Sequence, residues 1–289
     1  MNVAVLTNCQ PRHISLIERM ASIADTVYAC IEVTTLFPGE VADHYAKSDV
    51  MKDYFSRVGA AERAEFGEPR FLPSNVIAFP MKSGDISKLD LASLLPLRDV
   101  DAAVVFGASF IRQPLVDLLV EKETLNLHMG TSPFYRGSSC NFWAAYDHNP
   151  DYVGATVHML TKGLDSGPML CHAFPTLDEH ESLDYFALGM RAVSAGIDCI
   201  VSLIESGLWR DLERVPQDRS VEIRYTRNSD FDDIAAREFM ANAPTPDAIA
   251  KALGDRDNKK FLLPFVTQKE KANPAAAGTQ RSPAKPTGG

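Results

Sequence analysis

Leu-Asn-Leu-His-Met-Gly at residues 125–130 and Gly-Leu-Asp-Ser-Gly-Pro at residues 163–168 are the two stretches around which this chain is organised. Each carries polar side chains in a glycine-bounded turn that directly follows an apolar segment. Asn126 and His128 alternate with leucines, so the two-residue period of a strand places both side chains on one face. Open α/β sheets bind ligands at their strand ends. We therefore expect Asn126, His128 and Asp165 to meet in one cleft.

The apolar segments on either side of these stretches predict an α/β fold with a Rossmann-like, mostly parallel twisted sheet. The run at residues 102–106 is almost wholly apolar, which is typical of a central parallel strand that is covered on both faces. Further strands are predicted at residues 3–6, 27–32, 75–79, 125–128, 155–160 and 169–174. Helical periodicity predicts helices at residues 14–24, 114–119, 138–147, 182–206 and 231–241.

The composition of the chain predicts three parts, namely a catalytic domain at residues 1–215, a small C-terminal extension at 216–266 and a tail at 267–289. The tail is rich in Ala, Pro, Gly, Thr, Lys and Gln and is predicted to be disordered, because it has too little apolar surface to bury. Residues 36–70 are too long for a simple βα connection and predict a helical insertion. We favour a surface helix pair that packs on the sheet, with a lid or a partner contact as the alternative.

Composition and charge exclude several classes of protein. No run of eighteen apolar residues occurs, and the N-terminus enters a strand without a basic leader, so we expect a cytoplasmic protein with no membrane segment. The five cysteines are scattered without a Cys-x-x-Cys pair, which argues against a disulfide framework and against a metal site. The net charge of −9 makes nucleic acid an unlikely partner. Residues 251–289 carry eight Lys or Arg against three Asp or Glu, which we interpret as a solvated basic tail.

The turn between the first strand and the first helix, Thr-Asn-Cys-Gln-Pro-Arg-His at residues 7–13, contains no glycine. A dinucleotide-binding protein would carry Gly-x-Gly-x-x-Gly there, so that its backbone can approach a pyrophosphate. NAD and FAD are therefore disfavoured. Arg12 and His13 are candidates to bind an anionic group of a substrate, although two solvated turn residues are an equally good interpretation.

Four motifs together resemble the folate-dependent formyltransferases. They are Asn-x-His at 126–128, Pro-x-Tyr-Arg-Gly at 133–137, Gly-x-Thr-x-His at 154–158 and Leu-Asp-x-Gly-Pro at 164–168. This superfamily includes glycinamide ribonucleotide transformylase, methionyl-tRNA formyltransferase and the sugar N-formyltransferases, and we expect the chain to be most similar to the small-molecule (sugar) members. The resemblance is clearest over residues 101–170 and absent from the last forty.

The resemblance implies a catalytic triad of Asn126, His128 and Asp165. Formyl transfer to an amine needs a donor to the developing oxyanion and a group that accepts the amine proton. An amide and an imidazolium supply donors, and a nearby carboxylate favours the charged form of the imidazole. Neither a metal nor a covalent intermediate is required.

The resemblance also implies 10-formyltetrahydrofolate as the formyl donor and assigns its contacts to two loops. These residues are Phe106, Gly107, Ala108, Ser109, Phe110, Ile111, Gly163 and Leu164. Phe110 and Ile111 also fit ordinary core positions under a turn. Arg136 is the candidate to fix its own loop or to bind an acidic acceptor, and His158 is interpreted as structural. No activating cluster is evident around Cys140.

The expected partner is a small-molecule amine, and the candidate we favour is a nucleotide-linked amino sugar. Methionyl-tRNA is disfavoured, since only about seventy residues follow Ser220 and the chain is acidic. Glycinamide ribonucleotide is disfavoured by the missing glycine-rich turn. Hydrolysis of the folate with water as nucleophile is a second candidate activity, and a silent folate-binding module is a third interpretation. The oligomeric state stays open, with a homodimer as one candidate.

Overall fold

The computed structural model describes residues 1–36, 40–41, 47–68, 70–88, 90, 98–177 and 181–266. Its strands are β1 (Asn2–Asn8), β2 (Thr26–Val33), β3 (Thr35–Leu36), β4 (Glu40–Val41), β5 (Val76–Lys82), β6 (Ala102–Phe106), β7 (Leu125–His128), β8 (Tyr135–Gly137), β9 (Ala155–Met159), β10 (Met169–Phe174), β11 (Arg224–Thr226) and β12 (Phe265–Val266). The predicted tail lies outside the described residues.

Eight of these strands form the central sheet, in the order β12-β10-β9-β7-β6-β1-β2-β5. β9 is antiparallel to both of its neighbours, whereas the remaining pairings in this sheet are parallel. The predicted α/β class with a mostly parallel sheet is thereby confirmed. Two short ladders accompany it, β3 with β4 and β8 with β11.

Helices cover both faces of the sheet. They are α1 (Pro11–Ile23), α2 (Asp49–Phe66), α3 (Leu115–Glu121), α4 (Cys140–Tyr146), α5 (Tyr185–Ser206), α6 (Asp233–Asn242) and α7 (Pro246–Gly254). Along β1 the side chains alternate, so Val3 and Val5 pack in the same core as α1 and α5, while Ala4 and Leu6 pack with α3. This alternation explains why β1 is apolar at consecutive positions, as a strand covered on both faces must be.

α5 is the main helix of the core. Its Asp184 cap accepts a hydrogen bond from the backbone of Ala187, and Gly207 ends it in the left-handed region. The helix is long and apolar enough to cross a membrane by length and composition. However, 56% of its most apolar window is buried inside the protein, against β7, β9 and β10. It is therefore a core helix, and its apolarity reflects contact with the sheet.

The helix pair predicted for residues 36–70 is wrong. In the part of this segment that the structure describes, β3 and β4 pair as a short antiparallel ladder and α2 follows as a single helix. α2 packs against α1, α5 and α6, with Tyr54 and Phe66 buried. The segment therefore contributes to the core, because the aromatic positions of α2 meet other helices as well as the sheet.

The predicted C-terminal extension packs closely against the rest of the protein. β12 joins the central sheet beside β10, and β11 pairs with β8. Phe239 of α6 lies 4.9 Å from Phe142 and 4.6 Å from Tyr185, between ring centroids. The boundary at residue 216 remains a prediction, but these contacts join residues 216–266 to the same core.

Replacing Phe239 with Ala is expected to lower the free energy of unfolding by about 3 to 5 kcal/mol, because a fully buried ring leaves a cavity between aromatic side chains. Phe239 is 2% exposed, whereas Ile234 on the same helix is 61% exposed. Ile234→Ala is the matched control and should change stability by less than about 0.5 kcal/mol. Chemical denaturation measures both. Equal effects of the two variants would show that α6 does not dock as described.

Candidate active site

The end of β7 and the loop between β9 and β10 bring the three predicted catalytic side chains together. Asn126 Nδ2 donates a hydrogen bond of 2.9 Å to Asp165 Oδ1. His128 Nδ1 lies 3.5 Å from the other carboxylate oxygen, Oδ2. Asp165 has a φ of 42°, in the left-handed region that non-glycine residues rarely occupy. Strain of this kind is typical of functional sites. This backbone conformation directs the Asp165 carboxylate toward both Asn126 and His128.

Two further side chains fix this arrangement. Gln217 Nε2 donates to the carbonyl oxygens of Asp165 at 2.8 Å and of Gly167 at 3.0 Å. His158 Nδ1 is 2.9 Å from the carbonyl oxygen of Met159 and therefore donates, which leaves its Nε2 to accept from Asn126 Nδ2 at 2.9 Å. Both Nδ2 hydrogens of Asn126 are consequently used within the site. In this arrangement Asn126 holds Asp165 in place and does not donate into a cavity.

Cys140 occupies the other side of the His128 ring. Its Sγ lies 3.4 Å from His128 Nε2 and 3.5 Å from the carbonyl oxygen of Gly137. The sequence interpretation found no activating group near Cys140 and is corrected here, because the first turn of α4 folds back onto the end of β7. The imidazole therefore has a partner on each of its nitrogens.

The electrostatics of the site favour a charged His128. Burial disfavours an imidazolium, but Cys140 and Asp165 on its two sides outweigh burial and hold the pKa of His128 well above its usual value. Burial likewise opposes ionisation of Asp165, yet His128 holds the pKa of that carboxyl well below its usual range. The pair is therefore an imidazolium and a carboxylate at neutral pH.

Gly130 allows α4 to approach the catalytic strand. A Cβ atom on it would lie 2.4 Å from the Cβ of Cys140 and 3.1 Å from His128 Nε2, and its φ is 155°. No larger residue fits without moving one of the two side chains. Gly107 is similar, since its φ is 65° and an added Cβ would lie 2.3 Å from His13 Cε1. These two glycines set the close packing on both sides of the site.

Three cavities meet at Leu164 and Asp165. The arginine cavity, of about 520 Å³, also contains His128, Arg136, Arg219, Glu222 and Tyr225. The aromatic cavity, of about 480 Å³, is lined on its apolar side by Tyr54, Phe55, Phe142, Phe186 and Phe231 and also contains Asn126 and His128. The loop cavity, of about 60 Å³, lies between residues 108–111 and residues 160–165. A ligand bound in any of the three cavities can place a chemical group beside Asp165.

The predicted folate contacts divide among these cavities. Phe106, Gly107 and Ala108 line the aromatic cavity, while Ala108, Ser109, Phe110 and Ile111 line the loop cavity. Gly163 borders the arginine and loop cavities, and Leu164 borders all three. All eight predicted residues therefore surround the triad. Ile111 is also buried in the core, as expected of a position under a turn.

The three predicted acceptor contacts differ in placement. Arg136 lines the arginine cavity and pairs with Glu222 at 2.8 Å. Arg12 lines the aromatic cavity and pairs with Glu62 at 2.8 Å. His13 is buried between Thr7, whose Oγ1 is 2.9 Å from its Nδ1, and the ring of Phe106. His13 is 3% exposed, so it is a core residue and not a solvated turn residue, and burial, followed by the charge of Arg12, lowers its pKa.

Sequence reasoning missed Cys140, Gln217, Arg219 and Tyr225 as residues of the site. Gln217 and Arg219 lie beyond the four motifs in the sequence, and no local pattern marks them. In the described part of the chain, no group of three His, Cys, Asp or Glu side chains is placed to hold a metal ion.

Comparison with known proteins supports the resemblance. Residues 59–194 match the family model described as formyl transferase. Over 97 residues the chain is 29% identical to a methionyl-tRNA formyltransferase of Pelobacter propionicus, a match that covers 34% of this chain and 30% of that protein. The matched part thus spans less than a third of the curated relative.

Several solved structures are similar at low identity. A sugar N-formyltransferase from Shewanella sp. is 15% identical, with 80% of this chain and 78% of that chain covered and a TM-score of 0.48. The N-formyltransferase from Helicobacter canadensis is 13% identical, with 80% and 73% covered and a TM-score of 0.49. Phosphoribosylglycinamide formyltransferase from Anaplasma phagocytophilum is 18% identical, with 72% and 88% covered and a TM-score of 0.45.

The segment that carries the three predicted catalytic side chains lies within the part of the chain that matches the formyl transferase family model. The matched residues 59–194 include β6, β7, β9, β10 and the loop of Asp165, so the family assignment and the geometry concern the same part of the molecule. The family expected from the four sequence motifs is confirmed.

Replacing Cys140 with Ala is expected to lower the pKa of His128, because one of the two groups that favour its charged form is removed while its burial remains. Titration of the ring nitrogens by ¹H–¹⁵N NMR in wild type and variant measures this. Cys171→Ala is the control, since the Cys171 sulfur contacts Cys199 instead. An unchanged pKa in Cys140→Ala would show that the sulfur does not influence the imidazole.

Proposed function

We propose that this protein transfers the formyl group of 10-formyltetrahydrofolate to the amine of a small molecule. The observation that carries the proposal is the pair formed by the buried His128 imidazolium and the partly buried Asp165 carboxylate, held by Asn126 at the point where three cavities meet. The match of residues 59–194 to the formyl transferase family model supports the same reaction. The eight residues expected to contact the folate surround this pair.

In the proposed reaction, His128 supplies the hydrogen-bond donor to the oxyanion. The amine nitrogen attacks the formyl carbon, and negative charge develops on the formyl oxygen. Nε2–H of the imidazolium faces Cys140 at rest, and it donates to the formyl oxygen when the bound donor places that oxygen beside it. The C–N10 bond then breaks. The amine loses one proton and N10 gains one, so the site only has to relay a proton and no net proton is taken up.

Asp165 and Asn126 act on His128 and on each other. The carboxylate keeps the imidazole charged and lies at the junction of the cavities, where the amine of the acceptor would arrive. Asn126 holds one carboxylate oxygen, so the second oxygen stays on His128. The low pKa of Asp165 makes it a weak base, which suits a brief relay of the amine proton better than its retention.

The arginine cavity is the proposed acceptor site, and a nucleotide-linked amino sugar is the proposed acceptor. The charges of His128 and Asp165 balance, so Arg136 and Arg219 against Glu222 leave one positive charge in excess for a diphosphate. Tyr225 is more than half exposed and offers a flat face for a base or a sugar ring. Arg136 and Arg12 are each paired with a glutamate, but the arginine cavity has a second arginine, Arg219, whereas Arg12 is the one Arg or Lys among the described residues that line the aromatic cavity.

Transfer is tested by mixing the protein with 10-formyltetrahydrofolate and a panel of amines at physiological salt. The panel contains amino-sugar nucleotides, glycinamide ribonucleotide and methionyl-tRNA. An amino-sugar nucleotide is expected to give the highest kcat/KM. His128→Ala and Asp165→Asn should each lower turnover at least about a hundredfold while tetrahydrofolate still binds, since each loses a group that acts on the transition state.

Three outcomes contradict this account. A higher kcat/KM with methionyl-tRNA than with any sugar nucleotide would assign the acceptor to RNA. Formate release that no amine accelerates would make the protein a hydrolase of the folate. Near-normal turnover in either triad variant would remove that residue from the mechanism.

A further inference from the structure

Glu32 is a buried carboxylate that the reaction does not use. It lies one residue before the end of β2 and is 0% exposed. In dinucleotide-binding folds an acidic residue shortly after the glycine-rich turn binds the ribose of the cofactor. Here the side chain is turned inward and is not open to a ligand. A charge held in the interior is costly unless hydrogen bonds compensate for the lost water, so its partners indicate its role.

Three donors from two loops surround this carboxylate. Oε1 accepts from the backbone N–H of Gly84 at 2.7 Å and from the hydroxyl of Ser109 at 2.8 Å. Oε2 accepts from the backbone N–H of Ser109 at 2.6 Å. Within the described ranges, no Lys or Arg pairs with Glu32. The charge is therefore satisfied by neutral groups, and two of the three belong to a single residue that lies 77 positions away in the chain.

Ser109 lies in the wall of the loop cavity, directly beside the catalytic side chains. That cavity contains Asn126 and Asp165 together with residues 108–111. Glu32 holds Ser109 by its backbone and its side chain together, which fixes both the position and the orientation of this wall. The opposite wall contains Leu164, whose side chain is 67% exposed and therefore has room to move. Because the cavity is only about 60 Å³, any enlargement has to come from that opposite side.

We propose that Glu32 is a positioning residue that makes residues 107–111 a rigid, preformed wall for the formyl donor. This inference rests on the proposed function for the identity of the donor. If these residues are ordered before binding, no binding free energy is lost in ordering them. The affinity for the formyl donor therefore depends on Glu32. The chemical step does not, because His128 and Asp165 are held by different residues.

The test variant is Glu32→Gln, which keeps the shape of the side chain but replaces one acceptor oxygen with a donor. The amide must then face either the N–H of Ser109 or the N–H of Gly84, and one donor is left without a partner. We expect the Kd for tetrahydrofolate and the KM for the formyl donor to rise about tenfold or more, since the loop loses its fixed position. The kcat at saturating donor should stay within about threefold of wild type.

Two companion variants separate positioning from general destabilisation. Ser109→Ala removes one of the three hydrogen bonds and should weaken tetrahydrofolate binding less than Glu32→Gln does. In the double variant the two effects should be smaller than additive, because both act through the same contact. Asp198→Asn is the control, since this carboxylate pairs with Arg19 between α1 and α5, away from the three cavities. It should leave tetrahydrofolate binding unchanged.

The outcomes distinguish this inference from the proposed function. If the wild-type protein does not bind tetrahydrofolate, the proposed function is contradicted, and so is the inference that rests on it. If wild type binds and folded Glu32→Gln binds equally well, the inference alone is overturned. Additive effects of Glu32→Gln and Ser109→Ala, or equal losses in kcat and in donor affinity, would also overturn it. Weaker donor binding with kcat retained and coupling confined to Ser109 supports it.

Discussion

The contact between the buried His128 and the partly buried Asp165 is the constraint on which the rest of the site depends. Removing an imidazolium and a carboxylate from water is costly, and their mutual attraction offsets that cost only when further hydrogen bonds hold both groups. The protein supplies these bonds from separate elements. Asn126 holds one oxygen of Asp165, Gln217 holds its backbone, and Cys140 contacts the far nitrogen of His128. The strained backbone of Asp165 is tolerated because the contacts on either side define its position.

The fold brings these groups together through its strand ends. β7 and β9 pair antiparallel, with Asn126 opposite His158, so a side chain from each strand reaches the same point. The loop after β9 then returns Asp165 to this point before β10 begins. On the opposite side, Gly130 lets α4 approach closely enough for Cys140 to contact His128. The charge state of the imidazole thus depends on three segments, namely β7, α4 and the loop of Asp165. It is therefore maintained only when these segments pack correctly.

Part of this arrangement could be predicted from the sequence. The period of two in residues 125–128 places Asn126 and His128 on one face, and the turn around Asp165 follows a strand, so local geometry alone predicts their meeting. The apolar run of β6 likewise predicts a central strand. The roles of these residues are implied by four motifs whose order and spacing resemble those of the folate-dependent formyltransferases.

Several features depend on contacts between distant residues and leave no local pattern. Glu32 has the pattern of an ordinary strand residue, and only the folded chain brings it to Ser109. Cys140 has no charged neighbour in sequence, yet α4 directs it to His128. The helix pair predicted for residues 36–70 was wrong because the prediction rested on the length of this segment, whereas its described start pairs as strands, Thr35–Leu36 with Glu40–Val41. His13 lies in a polar segment that has the composition of a solvated turn, but in the folded protein Thr7 and Phe106 bury its side chain.

The central claim is that Asp165 keeps His128 positively charged and that formyl transfer needs this charge. The most direct measurement is the pH dependence of kcat/KM for transfer to the best acceptor, in wild type and in Asp165→Asn. The charged form of His128 exists below its pKa, and that pKa is raised in the folded protein, so wild-type activity should persist through neutral pH and fall only as pH rises through the raised value. In Asp165→Asn the fall should move to lower pH, because one group that raises the pKa is gone. A fall at the same pH in both proteins would contradict the account.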